Sequence, residues 1–539
     1  MSAHVLISTA RSQKNGLFYL LLIIPIFLFY GLFFRFLKNT PYIDDFYWYF
    51  NFIDQFDQAP TFSEKLNVFL KPYNQHRHYI QHLLSLLSIL FSGELNIYFF
   101  TLLGNSILLF FIYYLLQPTA KNIAGVVFAT WLFFQPVSFM NYYTFAFFNL
   151  PVLLFSLLFI RAMVLRANLL WIIFLGLLAT FSNGNGLLVW VLGILLSFIK
   201  ADYKHLFIFS TILITLLILF YLQNTFYLQN IQADTSRVIN VKFFIDSALY
   251  FIQIHAGFLN WSAYGLSWMA IPIGVSVLFL FGRILISRTV VYERSGQLYV
   301  LYFLLFLSLS MGLISVGRVS VDGLIANVID HYRLYPCLFL GCIVYYYMTT
   351  TKLTTILQRG ILLIGIGITI LNYAIYLPRM YMHFSHQLAD ALNYSATGKW
   401  LFYPLIQGKK EYDFVNVVSD SVISKEFYSP VEPHRYQANK WFKRQIDSSQ
   451  TAVTLRVMDA NYLPLIEDAF FVVKCQGLTY HFPVESERFW KDLFRFRLRQ
   501  PTVASVIDWK TMNEPCLSQP STIQYAVLRG NSLTYYRLL

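Results

Sequence analysis

LFYLLLIIPIFLFYGLFFRFL, residues 17–37, decides the class of fold. Arg35 is its only charged residue, and a helix of this length, rising about 1.5 Å per residue, matches a hydrocarbon core about 30 Å thick. Arg11 and Lys14 precede it, as a basic lead precedes a signal peptide. The apolar run outlasts a signal-peptide core, however, and closes on Arg35, Phe36 and Leu37 rather than on a small-residue cleavage site. It therefore reads as a retained membrane helix.

Comparable runs follow at 95–116, 122–140, 147–165, 169–183, 186–199, 205–223, 261–286, 298–316, 334–350 and 356–377. The chain thus reads as an α-helical polytopic membrane protein of about eleven spans. Composition agrees: 57% of the 539 residues are hydrophobic, 19% aromatic and only 12% charged, too little polar surface to cover a soluble globule. Residues 76–92 are apolar but begin His76-Arg77-His78, and read as an interfacial or re-entrant helix.

With that segment left out of the count, the N-terminus and every second loop share one side. They hold Arg11, Lys14, Lys121, Arg161, Arg166, Lys200, Lys204, Arg283, Arg288, Arg294, Lys352 and Arg359 against only Asp202 and Glu293. The positive-inside rule puts these loops and the N-terminus in the cytoplasm. The first outward loop, 38–94, and the C-terminus then face the other side. These basic loops account for most of the formal net charge of +13, so no nucleic-acid partner is implied.

Beyond residue 377 the composition changes: fifteen of the 27 acidic and nineteen of the 40 basic residues fall in the last 162 positions. The expectation is a transmembrane catalytic domain over 1–377 and a β-rich α+β domain over 378–539 on the outward side. Arg379–Leu405 has helical spacing. Phe414–Val418, Ala452–Val457, Phe470–Val473, Leu478–Phe482, Val503–Ile507 and Ile523–Leu528 read as strands. Arg495, Arg497 and Arg499 alternate with Phe496 and Leu498, which is either a solvated strand face or a basic stripe for anionic headgroups or an acidic glycan. Cys337 and Cys342 read as buried thiols, while Cys475 and Cys516 either pair in an oxidising compartment or stay as buried thiols.

No zinc-type spacing and no nucleotide-binding glycine loop occurs, so a substrate used outside the cytoplasm has to arrive activated on something other than a soluble nucleotide. A lipid carrier is the natural candidate. The chemistry-bearing residues sit in the outward loops. Asp44-Asp45, in Pro41-Tyr42-Ile43-Asp44-Asp45-Phe46-Tyr47, are two mutually repelling carboxylates near hydrocarbon. Their bland reading is a helix cap, with Asp45 capping Phe46 onward. Ser182-Asn183-Gly184-Asn185-Gly186 reads first as a tight turn. Arg77, Arg318 and Arg333 either snorkel to headgroups or fork onto a lipid phosphate.

Asp-Asp-Phe after the first helix, Asn74-Gln75-His76-Arg77, the Ser-Asn-Gly-Asn-Gly turn and His331-Tyr332-Arg333 before an apolar helix together resemble the GT-C superfamily of polytopic glycosyltransferases. Within it, the chain is similar to bacterial O-antigen-modifying, serotype-converting glucosyltransferases over about residues 1–350. The resemblance implies a polyprenyl-phosphate-sugar donor and a glycan acceptor, on the periplasmic side of the bacterial inner membrane. It implies Asp44 or Asp45 as the base that takes the acceptor's proton. Arg77, Arg318 and Arg333 would take the donor phosphate, and His76, Asn183, Asn185, His331 and Tyr332 would contact substrate. No metal or other cofactor is expected, although a divalent ion at Asp44/Asp45 would suit paired carboxylates. A polymerase or ligase, or a lipid-linked-sugar flippase, is the competing reading.

Overall fold

The computed structural model describes residues 16–42, 44–72, 77–117, 123–136, 145–228, 241–287, 295–322, 332–351, 353–400, 409–430, 434–448, 452–462, 468–475, 478–484, 500–508, 522–529 and 532–538. Among them, six helices are long and apolar enough to cross a membrane: Gly16–Phe36, Ile97–Leu116, Tyr203–Gln223, Ser267–Ile286, Leu298–Arg318 and Thr355–Thr397. Tyr79–Ser92, Ile123–Phe133, Asn149–Val164, Leu169–Ser182, Gly184–Ile199 and Leu334–Thr350 are shorter apolar helices. A further helix, Val241–His255, lies between the apolar runs 205–223 and 261–286.

The chain divides into two compact units. One comprises Met1–Leu32, Leu70–Gln81 and Phe100–Tyr376; the other comprises Phe33–Phe69, His82–Phe99 and Leu377–Leu539. The division between Tyr376 and Leu377 falls inside the Thr355–Thr397 helix.

In the first unit, small residues let helices approach closely, as is usual where helices have no water to exclude. A Cβ on Gly341, in the Leu334–Thr350 helix, would lie 2.7 Å from the Phe133 ring, so only glycine fits there without a shift. Trp131 Nε1 donates to the Leu21 carbonyl at 2.9 Å, and the Asn372 amide donates to Gln135 Oε1 and the Phe258 carbonyl, both at 2.8 Å. Such paired polar groups fix register within an apolar bundle.

The second unit contains a seven-stranded sheet. Its strands are β1 (His434–Ser448), β2 (Ala452–Tyr462), β3 (Asp468–Cys475), β4 (Leu478–Pro483), β5 (Gln500–Asp508), β6 (Thr522–Arg529) and β7 (Ser532–Leu538), in the order β4-β3-β6-β7-β1-β2-β5. β1 and β7 pair in parallel and the other neighbours are antiparallel. Phe470 and Val472 of β3, Ala526 and Leu528 of β6, and Leu533 and Tyr535 of β7 form one buried face with Leu388, Ala389 and Leu392 of the Thr355–Thr397 helix. Phe471 and Tyr525, register partners on the opposite face, are also fully buried. A sheet covered on both faces explains why β3 reads as an unbroken apolar run.

One expected strand is corrected. Phe414–Val418 lies within the helix Lys409–Ser424. Val415, Asn416, Val418, Ser419 and Val422 are buried in it, and the steps of three and four from Val415 to Val418, Ser419 and Val422 would fall on alternating faces of a strand. Arg495, Arg497, Arg499 and Cys516 lie outside the described residues.

Candidate functional site

The Asp44-Asp45 pair begins a helical segment of the second unit. The Asp44 carbonyl accepts from the backbone N–H groups of Tyr47 at 3.0 Å and Trp48 at 2.8 Å. A wide, π-type turn follows over Phe46–Asn51, then an α-helix over Phe52–Gln58. Wide turns of this kind recur at functional sites because they re-aim side chains. Here aromatic anchors secure the turn: Phe46 lies edge-on to Trp400, Tyr47 stacks on Phe414 with ring centroids 4.5 Å apart, and Phe50 contacts Tyr428. Lys425 bridges Asp54 at 3.3 Å and Asp57 at 2.9 Å.

The two carboxylates are not equivalent. Asp45 is fully buried, and its Oδ2 accepts from the Tyr42 backbone N–H at 2.9 Å. Its backbone is helical and its side chain makes no cap bond, so the capping role does not hold. Burial and then the Asp45 charge raise the Tyr49 phenol well above the usual range, and burial, Glu94 and then Asp45 do the same for Tyr428, which keeps both neutral at physiological pH. Asp44 is half-buried. One acid therefore organises the loop, and its neighbour keeps contact with the exterior.

In the first unit, Arg318 donates through Nε and Nη2 to the Tyr332 hydroxyl at 3.2 and 3.0 Å, which joins two of the expected site residues. Arg333 is buried and donates to the carbonyls of Gly257 at 3.3 Å and Leu259 at 3.1 Å. Arg77 donates to Gln223 Oε1 at 2.9 Å and the Phe220 carbonyl at 3.2 Å, and its guanidinium lies 3.8 Å from the centroid of the Phe220 ring. Arg77 thus meets a carbonyl inside the Tyr203–Leu228 helix, and Arg333 meets two carbonyls in the irregular chain that follows Val241–His255.

The Ser-Asn-Gly-Asn-Gly segment is the tight turn its composition indicated. Asn183 accepts from the Gly184 N–H at 2.7 Å, and a short 3₁₀ turn covers Gly184–Leu187. The Asn185 amide donates to the Tyr335 hydroxyl at 2.8 Å, three residues beyond Tyr332, and to Ser310 Oγ at 3.4 Å. Asn185, Tyr332 and Tyr335 therefore belong to one polar region, and Tyr335 and Ser310 are members that sequence reading missed. Both sit inside apolar helices, where an isolated hydroxyl gives no signal. His76 and His331 lie outside the described residues.

Sequence reading also missed a group in the second unit. His383, His386, Gln387 and Asp390 lie on the Thr355–Thr397 helix, and the Tyr42 ring meets the His383 ring edge-on at 4.3 Å. Burial and then the Asp390 charge push the Tyr42 phenol up to about 12. Among the described residues, no three His, Cys, Asp or Glu side chains are placed to share a metal ion. No protein-family model, curated protein or solved structure matches the chain.

Proposed function

We propose that the chain is an inverting glycosyltransferase of the bacterial inner membrane. On this reading it moves a hexose such as glucose from a polyprenyl-phosphate carrier to a surface glycan such as O-antigen, on the periplasmic side. The observation that carries the reading is the division of labour at Asp44-Asp45, a buried carboxylate fixed by the Tyr42 N–H beside a half-buried one at the head of an anchored wide turn. An acceptor hydroxyl is a poor nucleophile at neutral pH, and a positioned carboxylate contributes about 10²–10⁴-fold by removing its proton as the new bond forms.

Asp44 takes that proton, the acceptor oxygen bonds to the sugar's anomeric carbon, and the bond from that carbon to the phosphate oxygen breaks. The carrier phosphate leaves with the electron pair. Arg318, bonded to the Tyr332 hydroxyl, is assigned to charge on the phosphate. Arg77 and Arg333, each bonded to backbone carbonyls, are assigned to holding the chain of the first unit. Asn185 and Tyr332 are assigned to substrate hydroxyls. The basic inner loops support the orientation.

The test is the mass and linkage of surface polysaccharide from cells with and without the protein. The expected result is one extra hexose per repeat, lost with Asp44→Asn. An unchanged repeat would remove the reading, and altered chain length would replace it with a polymerase.

A further inference from the structure

His383, His386, Gln387 and Asp390 follow the spacing i, i+3, i+4, i+7. At about 100° per residue they fall within an arc of about 100° on the Thr355–Thr397 helix. Leu388, Ala389 and Leu392, which pack on the sheet, centre on the opposite side. The polar stripe therefore faces away from the sheet, and Tyr42 lies against it through the ring contact with His383. The backbone N–H of the same Tyr42 is bonded to Asp45. Tyr42 thus stands between the stripe and the acidic pair.

This is an unusual collection for a helix that is apolar along its first half. Gln387 is 4% exposed, and its amide nitrogen has no hydrogen-bond partner among the described residues. A buried amide donor left unmade is unfavourable, and native structures seldom tolerate it without a reason. Imidazole, amide and carboxylate groups together offer both donors and acceptors, which is what a saccharide's hydroxyls require. An adjoining phenol ring offers a flat apolar surface for the C–H face of a pyranose.

We propose that His383, His386, Gln387 and Asp390, with Tyr42, form the subsite that binds the acceptor saccharide beside Asp44. This rests on the glycosyl-transfer reading and extends it to the substrate the base acts on. The stripe holds the acceptor through its hydroxyls, and Asp44 removes the proton from the one that reacts.

The test uses full-length protein in detergent micelles and saturation-transfer NMR. The probes are the methyl glycosides of glucose, galactose, rhamnose and N-acetylglucosamine. The wild type is expected to bind at least one of them. His386→Ala and Gln387→Leu should bind it about tenfold more weakly, the effect of one or two lost hydrogen bonds. If His386→Ala does not fold, Gln387→Leu decides, because it replaces an amide with an apolar side chain of similar size.

No binding by the wild type, or undiminished binding by Gln387→Leu, overturns the subsite. The two readings separate cleanly. Stripe-dependent binding in a protein whose removal leaves surface polysaccharide unchanged keeps the subsite and removes the transferase. Asp44-dependent modification with unaltered binding in Gln387→Leu does the reverse.

Discussion

Asp44 and Asp45 are neighbours with different surroundings, and the difference makes opposite outcomes for the same substitution. Asp45 accepts the Tyr42 N–H in a fully buried setting, so Asp45→Ala leaves that donor unmade. A destabilisation of about 1–3 kcal/mol is expected, read as a lowered melting temperature of the full-length protein in detergent. Asp44→Asn changes a half-buried side chain and is expected to stay within about 0.5 kcal/mol of the wild type. Its effect should fall on glycan modification instead. Equal melting temperatures for the two variants would remove the distinction drawn between them.

At the scale of elements, the glycines of the Gly184–Leu187 turn differ sharply. A Cβ on Gly186 would lie 2.0 Å from the Ala179 carbonyl oxygen, whereas one on Gly184 would meet nothing within 4 Å. Gly186→Ala is therefore expected to abolish monodisperse elution on size-exclusion chromatography while Gly184→Ala elutes normally; equal profiles would contradict the turn's geometry. The turn was legible in sequence because Asn and Gly have one backbone meaning there. The helix Lys409–Ser424 was not, because Phe414–Val418 is a β-branched and aromatic run and its buried spacing shows only over a longer window. The stripe from His383 to Asp390 had helical spacing in plain view. What sequence could not supply was Tyr42 packed against it, a contact between residues far apart in the chain.

For the whole molecule, apolar runs and the contrast in charge beyond residue 377 were enough to anticipate a helical, membrane-type bundle and a β-rich region. They could not show that Phe33–Phe69, with the acidic pair, groups with Leu377–Leu539, because such grouping depends on tertiary packing. Orientation rests on the basic loops alone. Ser63 is exposed, so Ser63→Cys in intact spheroplasts should react with a membrane-impermeant maleimide beyond the wild-type background. Labelling only after lysis would put the acidic pair in the cytoplasm and end the periplasmic reading.

The most direct measurement is transfer of labelled glucose from a polyprenyl-phosphate carrier to lipid-linked O-antigen by the purified full-length protein. The wild type is expected to transfer with inversion at the anomeric carbon, and Asp44→Asn to do so at least about 10²-fold more slowly at unchanged melting temperature. Transfer at the wild-type rate by a variant carrying both Asp44→Asn and Asp45→Asn would contradict the account.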